Sequence, residues 1–147
     1  MRCRAARKRV DMKQWESQRS EYSVLDAVSH NAALVLHMGM NLGEKVAIDR
    51  SGVAWVDGLI ERNRSEWDEQ DRKRLTRLLG SFVGEAMIAE FGGRWIWGHG
   101  LGVDIGEQFV AFPLARVGEW IDGGEGDSVL GFFDASSAML DQQRPGS

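Results

Sequence analysis

Glu69-Gln70-Asp71-Arg72-Lys73-Arg74-Leu75-Thr76-Arg77-Leu78-Leu79-Gly80-Ser81-Phe82-Val83-Gly84-Glu85-Ala86-Met87-Ile88-Ala89-Glu90-Phe91, followed by Gly92-Gly93-Arg94-Trp95-Ile96-Trp97, is the stretch that decides how this chain folds. Leu75, Leu78, Leu79, Phe82, Val83, Ala86, Met87 and Phe91 recur at the spacing of one face of a 3.6-residue helix. Acids lead at Glu69 and Asp71 and bases follow at Arg72 to Arg74, which suits the helix dipole and i,i+4 pairing. Gly92-Gly93 is a helix-stop signal, and Arg94 to Trp97 switches to strand formers. A helix with one apolar face must bury it, and the nearest partner is an antiparallel sheet that begins at Arg94. The expectation is therefore an α+β fold, a long central helix packed on a three- to four-stranded antiparallel sheet with flanking helices.

Working outward along the C-terminal side, Arg94 to Trp97, Leu101 to Ile105 and Gln108 to Phe112 read as three strands of a meander. Gly98-His99-Gly100 and Gly106-Glu107 supply the turns. Side-chain alternation puts Trp95 and Trp97 on one face and Arg94 and Ile96 on the other. Pro113 ends the sheet and opens a helix through Leu114, Val117 and Ile121, with Arg116 and Glu119 outward. Gly123 to Gly126 stop that helix. Asp127 or Ser128 caps a last one, docked by Val129, Leu130, Phe132, Phe133 and Met139, and residues 143–147 read as a frayed end.

On the N-terminal side, Ser23 is read as the cap of a helix running to Met38, with Leu25, Val28, Ala32, Val35 and Leu36 on its buried face. Its second half is almost wholly apolar and is expected deep in the domain. Val46 to Ile48 is a candidate extended segment, and Asp49 or Ser51 caps a second helix ending near Asn63. Residues 1–19 hold seven basic and two acidic residues, so the remainder carries −9 within the chain's net −4. This basic segment reads as a disordered tail, with Met12 a candidate true start, ahead of one α+β domain over residues 20–142. The mixed-sign charges after Arg62 cancel locally, which makes a nucleic-acid site an unfavoured reading.

Composition narrows the function classes. The chain has 147 residues, 43% apolar and 27% charged, which is enough for a core without staples. Cys3 is the only cysteine, so no intrachain disulfide or multi-cysteine metal site can form. No apolar run reaches the roughly 18–20 residues of a bilayer span, and Arg2 to Arg9 is followed by no apolar signal core. The cytoplasm is the default location.

Chemistry-bearing residues are few. Gly80 and Gly84 lie four apart inside the central helix, where each costs about 0.8–1 kcal/mol against Ala, so another backbone is expected to approach there. Glu85 is expected to pair with an arginine such as Arg94 or to bond to the sheet. His30 and His37 share a helix face, yet no third ligand stands at a matching spacing, so no metal site is expected. Gly98, Gly100 and Gly102 spell a G-x-G-x-G, but the loop joins two strands rather than a strand and a helix, so no phosphate loop and no cofactor is expected. His99, Asp104 and Glu107 are the polar trio best suited to acid–base work, and no nucleophile accompanies them. Exposed turn residues are the plain alternative. Six tryptophans signal either a packed aromatic cluster or an adhesive surface.

The order Leu79-Gly80, Gly84-Glu85, Gly92-Gly93-Arg94-Trp95, Phe112-Pro113 and Gly126-Asp127-Ser128 resembles a bacterial domain-of-unknown-function family, over about residues 46–134. The resemblance implies a small cytoplasmic α+β fold with no established reaction or cofactor, and by analogy only an immunity-type or effector-associated partner protein. Gly80, Gly84, Glu85, Gly93, Arg94 and Pro113 are expected to serve structural roles. Two function classes follow. One is a non-catalytic protein-binding module with a protein partner, using Trp95, Trp97, His99, Asp104 and Glu107. The other is a small-molecule-binding or hydrolytic enzyme on the sheet face near His99. A homodimer that buries the tryptophans is the third arrangement.

Overall fold

The computed structural model describes residues 12–98, 100–123, 126 and 128–143, with side chains from Ser23 onward. Helix α1 (Met12–Asn41) is followed by α2 (Arg50–Asn63), a 3-10 turn at Arg64–Glu66, and the central α3 (Glu69–Phe91). Strands β1 (Arg94–Gly98), β2 (Gly100–Ile105) and β3 (Phe109–Ala111) come next, then α4 (Pro113–Ile121) and α5 (Val129–Gln143). This is the expected α+β arrangement of a long helix, one antiparallel sheet and flanking helices.

The central helix occupies the expected residues because both ends are chemically fixed. Asp68 accepts from Asp71 N at 2.8 Å and Asp71 accepts from Asp68 N at 3.2 Å, a reciprocal capping box. At the other end Gly92 N donates to Ile88 O at 3.0 Å, and Gly92 and Gly93 take φ of 71° and 155°. A side chain at Gly93 would also meet Asp104 O at 2.5 Å, so the turn into β1 needs glycine twice over. Leu79, Phe82, Val83, Ala86 and Met87 are buried, as the periodicity requires.

The sheet has three strands in the order β1-β2-β3, both pairs antiparallel. Trp95 is opposite Val103, which is opposite Ala111, and this row faces α3; Arg94 is opposite Asp104, which is opposite Val110, and that row faces away. No fourth strand forms among the described residues. Val46 and Ile48 lie in the α1–α2 connection and pack on the core from there. Strand β3 is shorter than expected at both ends. Gln108 N is bonded back to Ile105 O at 2.9 Å in the turn, and Phe112 is already the N-cap of α4.

Helix α1 departs most from the sequence expectation. It begins at Met12, so Ser23 lies inside it and caps nothing, and residues 12–19, expected in a disordered tail, have helical backbone. Lys13, Gln14, Glu16, Gln18 and Arg19 are good helix formers that continue a helix without an apolar stripe to announce it. Residues 1–11 lie outside the described residues. Nor is the second half of α1 deep: Val28, Ala32 and Val35 are buried, but Leu34 is 39% and Met40 69% exposed. Leu25, expected on the buried face, is also exposed.

The remaining helices close the core. Asp49 caps α2 by accepting from Gly52 N at 3.1 Å. Ser128 caps α5 by accepting from Gly131 N at 3.1 Å, and Asp57 of α2 reaches across to accept from Leu130 N at 3.3 Å. Val129, Phe133 and Leu140 are buried in α5, whereas Met139, expected to dock, points outward, one position from the apolar stripe. The helix continues to Gln143, and residues 144–147 lie outside the described residues. One core cluster draws on all five helices and on β2 and β3: Val35, Val56, Phe82, Ile105, Ala111, Val117 and Phe133 all belong to it.

Candidate functional site

The helix glycines explain how the sheet and α4 are placed. A Cβ at Gly84 would sit 2.1 Å from the Trp95 indole, and one at Gly80 would sit 2.8 Å from Leu114 Cα. The expected close backbone approach thus occurs at Gly80, where α4 crosses. At Gly84 the visitor is a ring, which seats β1 on the helix. Pro113 opens α4 at its first turn, as expected, and aims Leu114 at Gly80.

Of the residues singled out for binding or chemistry, the structure brings only some together. Trp95 is half-buried over Gly84, with its Nε1 buried and unpartnered. Trp97, on the same face one pleat further, extends past the core and is 62% exposed. With Val24 and Leu25 of α1, Ile96, Leu101 and Arg94 they line an open cleft of about 300 Å³. The cleft is lined by every residue from Arg94 to Trp97, and β1 is an edge strand with β2 on one side only. Alternate backbone N–H and C=O groups along such a strand have no partner in the sheet.

Asp104 is on the opposite face. It faces Arg94 across the β1–β2 pair at 3.9 Å, and its side chain is largely buried. Glu107 sits in the β2–β3 turn with φ of 62° and is exposed. His99 lies outside the described residues. Asp104 and the tryptophans therefore do not share one surface. Glu85 accepts from Ser29 Oγ of α1 at 3.1 Å, not from Arg94 or the sheet, so the expected pairing is replaced by a bridge between two helices. His30 and His37 are both exposed, and among the described residues no group of three His, Cys, Asp or Glu side chains is gathered to hold a metal ion.

Most of the tryptophans are structural. Trp55, Trp67, Trp95 and Trp120 all pack against the core. The Arg64 guanidinium lies 4.7 Å from the centre of the Trp120 ring and donates to Trp120 O at 2.9 Å. Arg72 donates to Trp67 O and to Arg64 O, each at 3.1 Å. These arginines staple the 3-10 turn to α3 and α4. The perturbed carboxyls are structural too. Asp134 is held below the usual carboxylate range by two hydrogen bonds from Arg50 at 2.8 Å, and Asp49 by hydrogen bonds from Ser51 and Gly52.

A second opening is one that residue patterns alone did not reveal. Between the second half of α1 and the first half of α3 runs a groove of about 640 Å³. Leu34, Met38, Leu75 and Leu78 supply its apolar lining, and His37, Arg74 and Arg77 its basic side chains. The i,i+4 pair Leu34/Met38 and the i,i+3 pair Arg74/Arg77 were visible in the sequence. Their meeting depends on how two helices cross.

No protein-family model, no curated protein and no solved structure matches the chain. Among the described residues no helix is long and apolar enough to cross a membrane.

Proposed function

We propose that this chain is a non-catalytic protein-binding module, of immunity or accessory type, acting in the bacterial cytoplasm. The observation that carries the reading is Trp97, 62% exposed beside Leu25 and Leu101 on an edge strand with unpaired backbone groups. Tryptophan is the side chain that most often anchors an interface, and a strand edge can accept an extended segment by backbone hydrogen bonds. Five side chains around it supply the apolar wall that such a segment needs. The immunity-type and bacterial assignments rest on the Gly-Glu, Gly-Gly-Arg-Trp and Phe-Pro pattern and on analogy. The acidic balance of residues 20–147 supports them, since it would steer a basic partner.

The test is affinity capture of the tagged chain from host lysate in three forms: unaltered, Trp97→Ala, and Val110→Ser as a control on the opposite sheet face. A stoichiometric protein partner held by the unaltered and control forms and lost from Trp97→Ala supports the module. An unchanged partner set in Trp97→Ala overturns the placement. A turnover that disappears in His99→Ala overturns the non-catalytic reading.

A further inference from the structure

We infer that the groove between α1 and α3 is a docking site for an acidic amphipathic helix of a partner protein. This surface is separate from the Trp97 cleft and differs from it in chemistry.

The groove lies along the second half of α1 and the first half of α3. Ser29 bonds Glu85 at 3.1 Å and Asn31 Nδ2 bonds Ser81 Oγ at 3.4 Å, and there Val28, Ala32 and Val35 are buried. From Leu34 to Asn41 the facing residues on α3 are Arg74, Leu75, Arg77 and Leu78. The helices run antiparallel, since higher numbers on α1 meet lower numbers on α3. The open length from Asn31 to Asn41 is about 15 Å at 1.5 Å per residue, or nearly three helical turns. An apolar trough between two antiparallel helices is the shape that a third helix fills, with anchors at i, i+3 or i+4, and i+7.

Charge selects the occupant. Among the described residues neither Arg74 nor Arg77 makes an ion pair, and both are exposed. The acids closest in sequence are committed elsewhere: Asp71 closes the capping box and Glu69 pairs with Lys73 at 3.5 Å. A cationic rim on a chain of net charge −4 is a local reversal of sign. An acidic helix would find here two guanidinium groups, unpaired among the described residues, on a chain that is acidic in sum, and these charges supply both attraction and register. The chain's own residues 1–11 are basic, with five Lys and Arg against one Asp, and cannot serve as the occupant. The apolar floor of the trough is Leu34, Met38, Leu75 and Leu78, and His37 is its one ring, so the lining offers anchors for apolar side chains rather than a row of aromatic platforms for successive bases.

The experiment uses the full chain and a fluorescein-labelled, helix-stapled peptide of about 14 residues, roughly 21 Å long. The peptide carries Leu at one helical face and Glu elsewhere. A second peptide has every Glu replaced by Lys, and a double-stranded DNA oligonucleotide serves as a plain polyanion. Anisotropy is expected to show saturable binding of the Glu peptide and at least about tenfold weaker binding of the Lys peptide. The double variant Arg74→Glu/Arg77→Glu is expected to reverse that preference, and methyl shifts are expected at Leu34, Met38, Leu75 and Leu78. Both arginines are exposed, so a circular-dichroism melt will show the variant folded; Leu34→Glu is a second variant expected to abolish binding. Trp97→Ala is expected to leave the peptide affinity unchanged, which separates this site from the Trp97 cleft.

Absence of saturable binding, equal binding of both peptides, or indifference to the arginine reversals overturns the proposal. Tighter binding of the DNA, lost in the double variant, overturns it in favour of a polyanion site. A concentration-dependent dimer in light scattering that dissociates in the double variant overturns it in favour of a second copy of this chain.

Discussion

The two flanks of α3 meet their neighbours in opposite ways. Toward α4 the helix presents Thr76 and Gly80, and these fit Gly118 and Leu114 so closely that a Cβ at Gly80 has no room and one at Gly118 would stand 3.3 Å from Thr76. Toward α1 it presents Arg74, Leu75, Arg77 and Leu78, which line an open groove of about 640 Å³. Small residues let helix axes approach, and long ones hold them apart unless a complementary surface interlocks. One helix therefore carries a closely fitted contact on one flank and an open groove on the other.

The contrast can be broken most sharply on the closed flank. Gly80→Val places branched carbons against Leu114 Cα and is expected to destabilise by about 2–3 kcal/mol, read as a lowered urea midpoint with unchanged slope. A smaller loss, about 1–2 kcal/mol, is expected for Gly84→Ala. There the gain of about 1 kcal/mol in helix propensity partly offsets the displacement of the Trp95 ring, and tryptophan emission should shift as the ring moves. On the open flank, Leu34→Ser is expected to change stability by no more than about 0.5 kcal/mol, because Leu34 already faces solvent. A loss there comparable to that of Gly80→Val would mean that the flank is closed in solution.

The smallest effect is expected away from both flanks, where Arg50 of α2 grips Asp134 of α5 with two hydrogen bonds at 2.8 Å. Because the folded-state pKa of Asp134 is lowered, the contribution is present above the usual aspartate value of 3.8 and is lost as pH falls through the depressed folded value. The stability difference between the unaltered chain and Asp134→Asn should therefore be constant near neutrality and shrink below pH 3.8. With side chains 55% and 45% exposed, the pair is screened, and added salt should reduce the difference as well.

How much of this could be read from residues depends on the distance over which the information acts. Helix α3 was legible end to end, since its stripe, its leading acids and Gly92-Gly93 all act within a few residues. The meander was legible for the same reason, with turn glycines fixing each reversal. Helix α1 was legible only where its apolar stripe runs; residues 12–22 join it through propensity, which leaves no period to find. Glu85 found Ser29 rather than Arg94 because its partner is set by helix crossing across 56 positions. In the sequence Arg74 is one member of a charge run of mixed sign. Only the fold shows that it stands with Arg77 on the rim of an apolar trough. The Trp95/Trp97 face is legible in the alternation of β1, but the seating of the first over Gly84 and the exposure of the second are set by tertiary packing.

The strand order β1-β2-β3 has a kinetic consequence. Every strand pairing joins sequence neighbours, so the sheet closes only short loops and forms early. The contact of Asp57 with the first turn of α5 instead spans 73 positions, and it is only part-buried. Substitutions at that capping contact are expected to speed unfolding while leaving the refolding rate nearly unchanged, as stopped-flow chevrons would show.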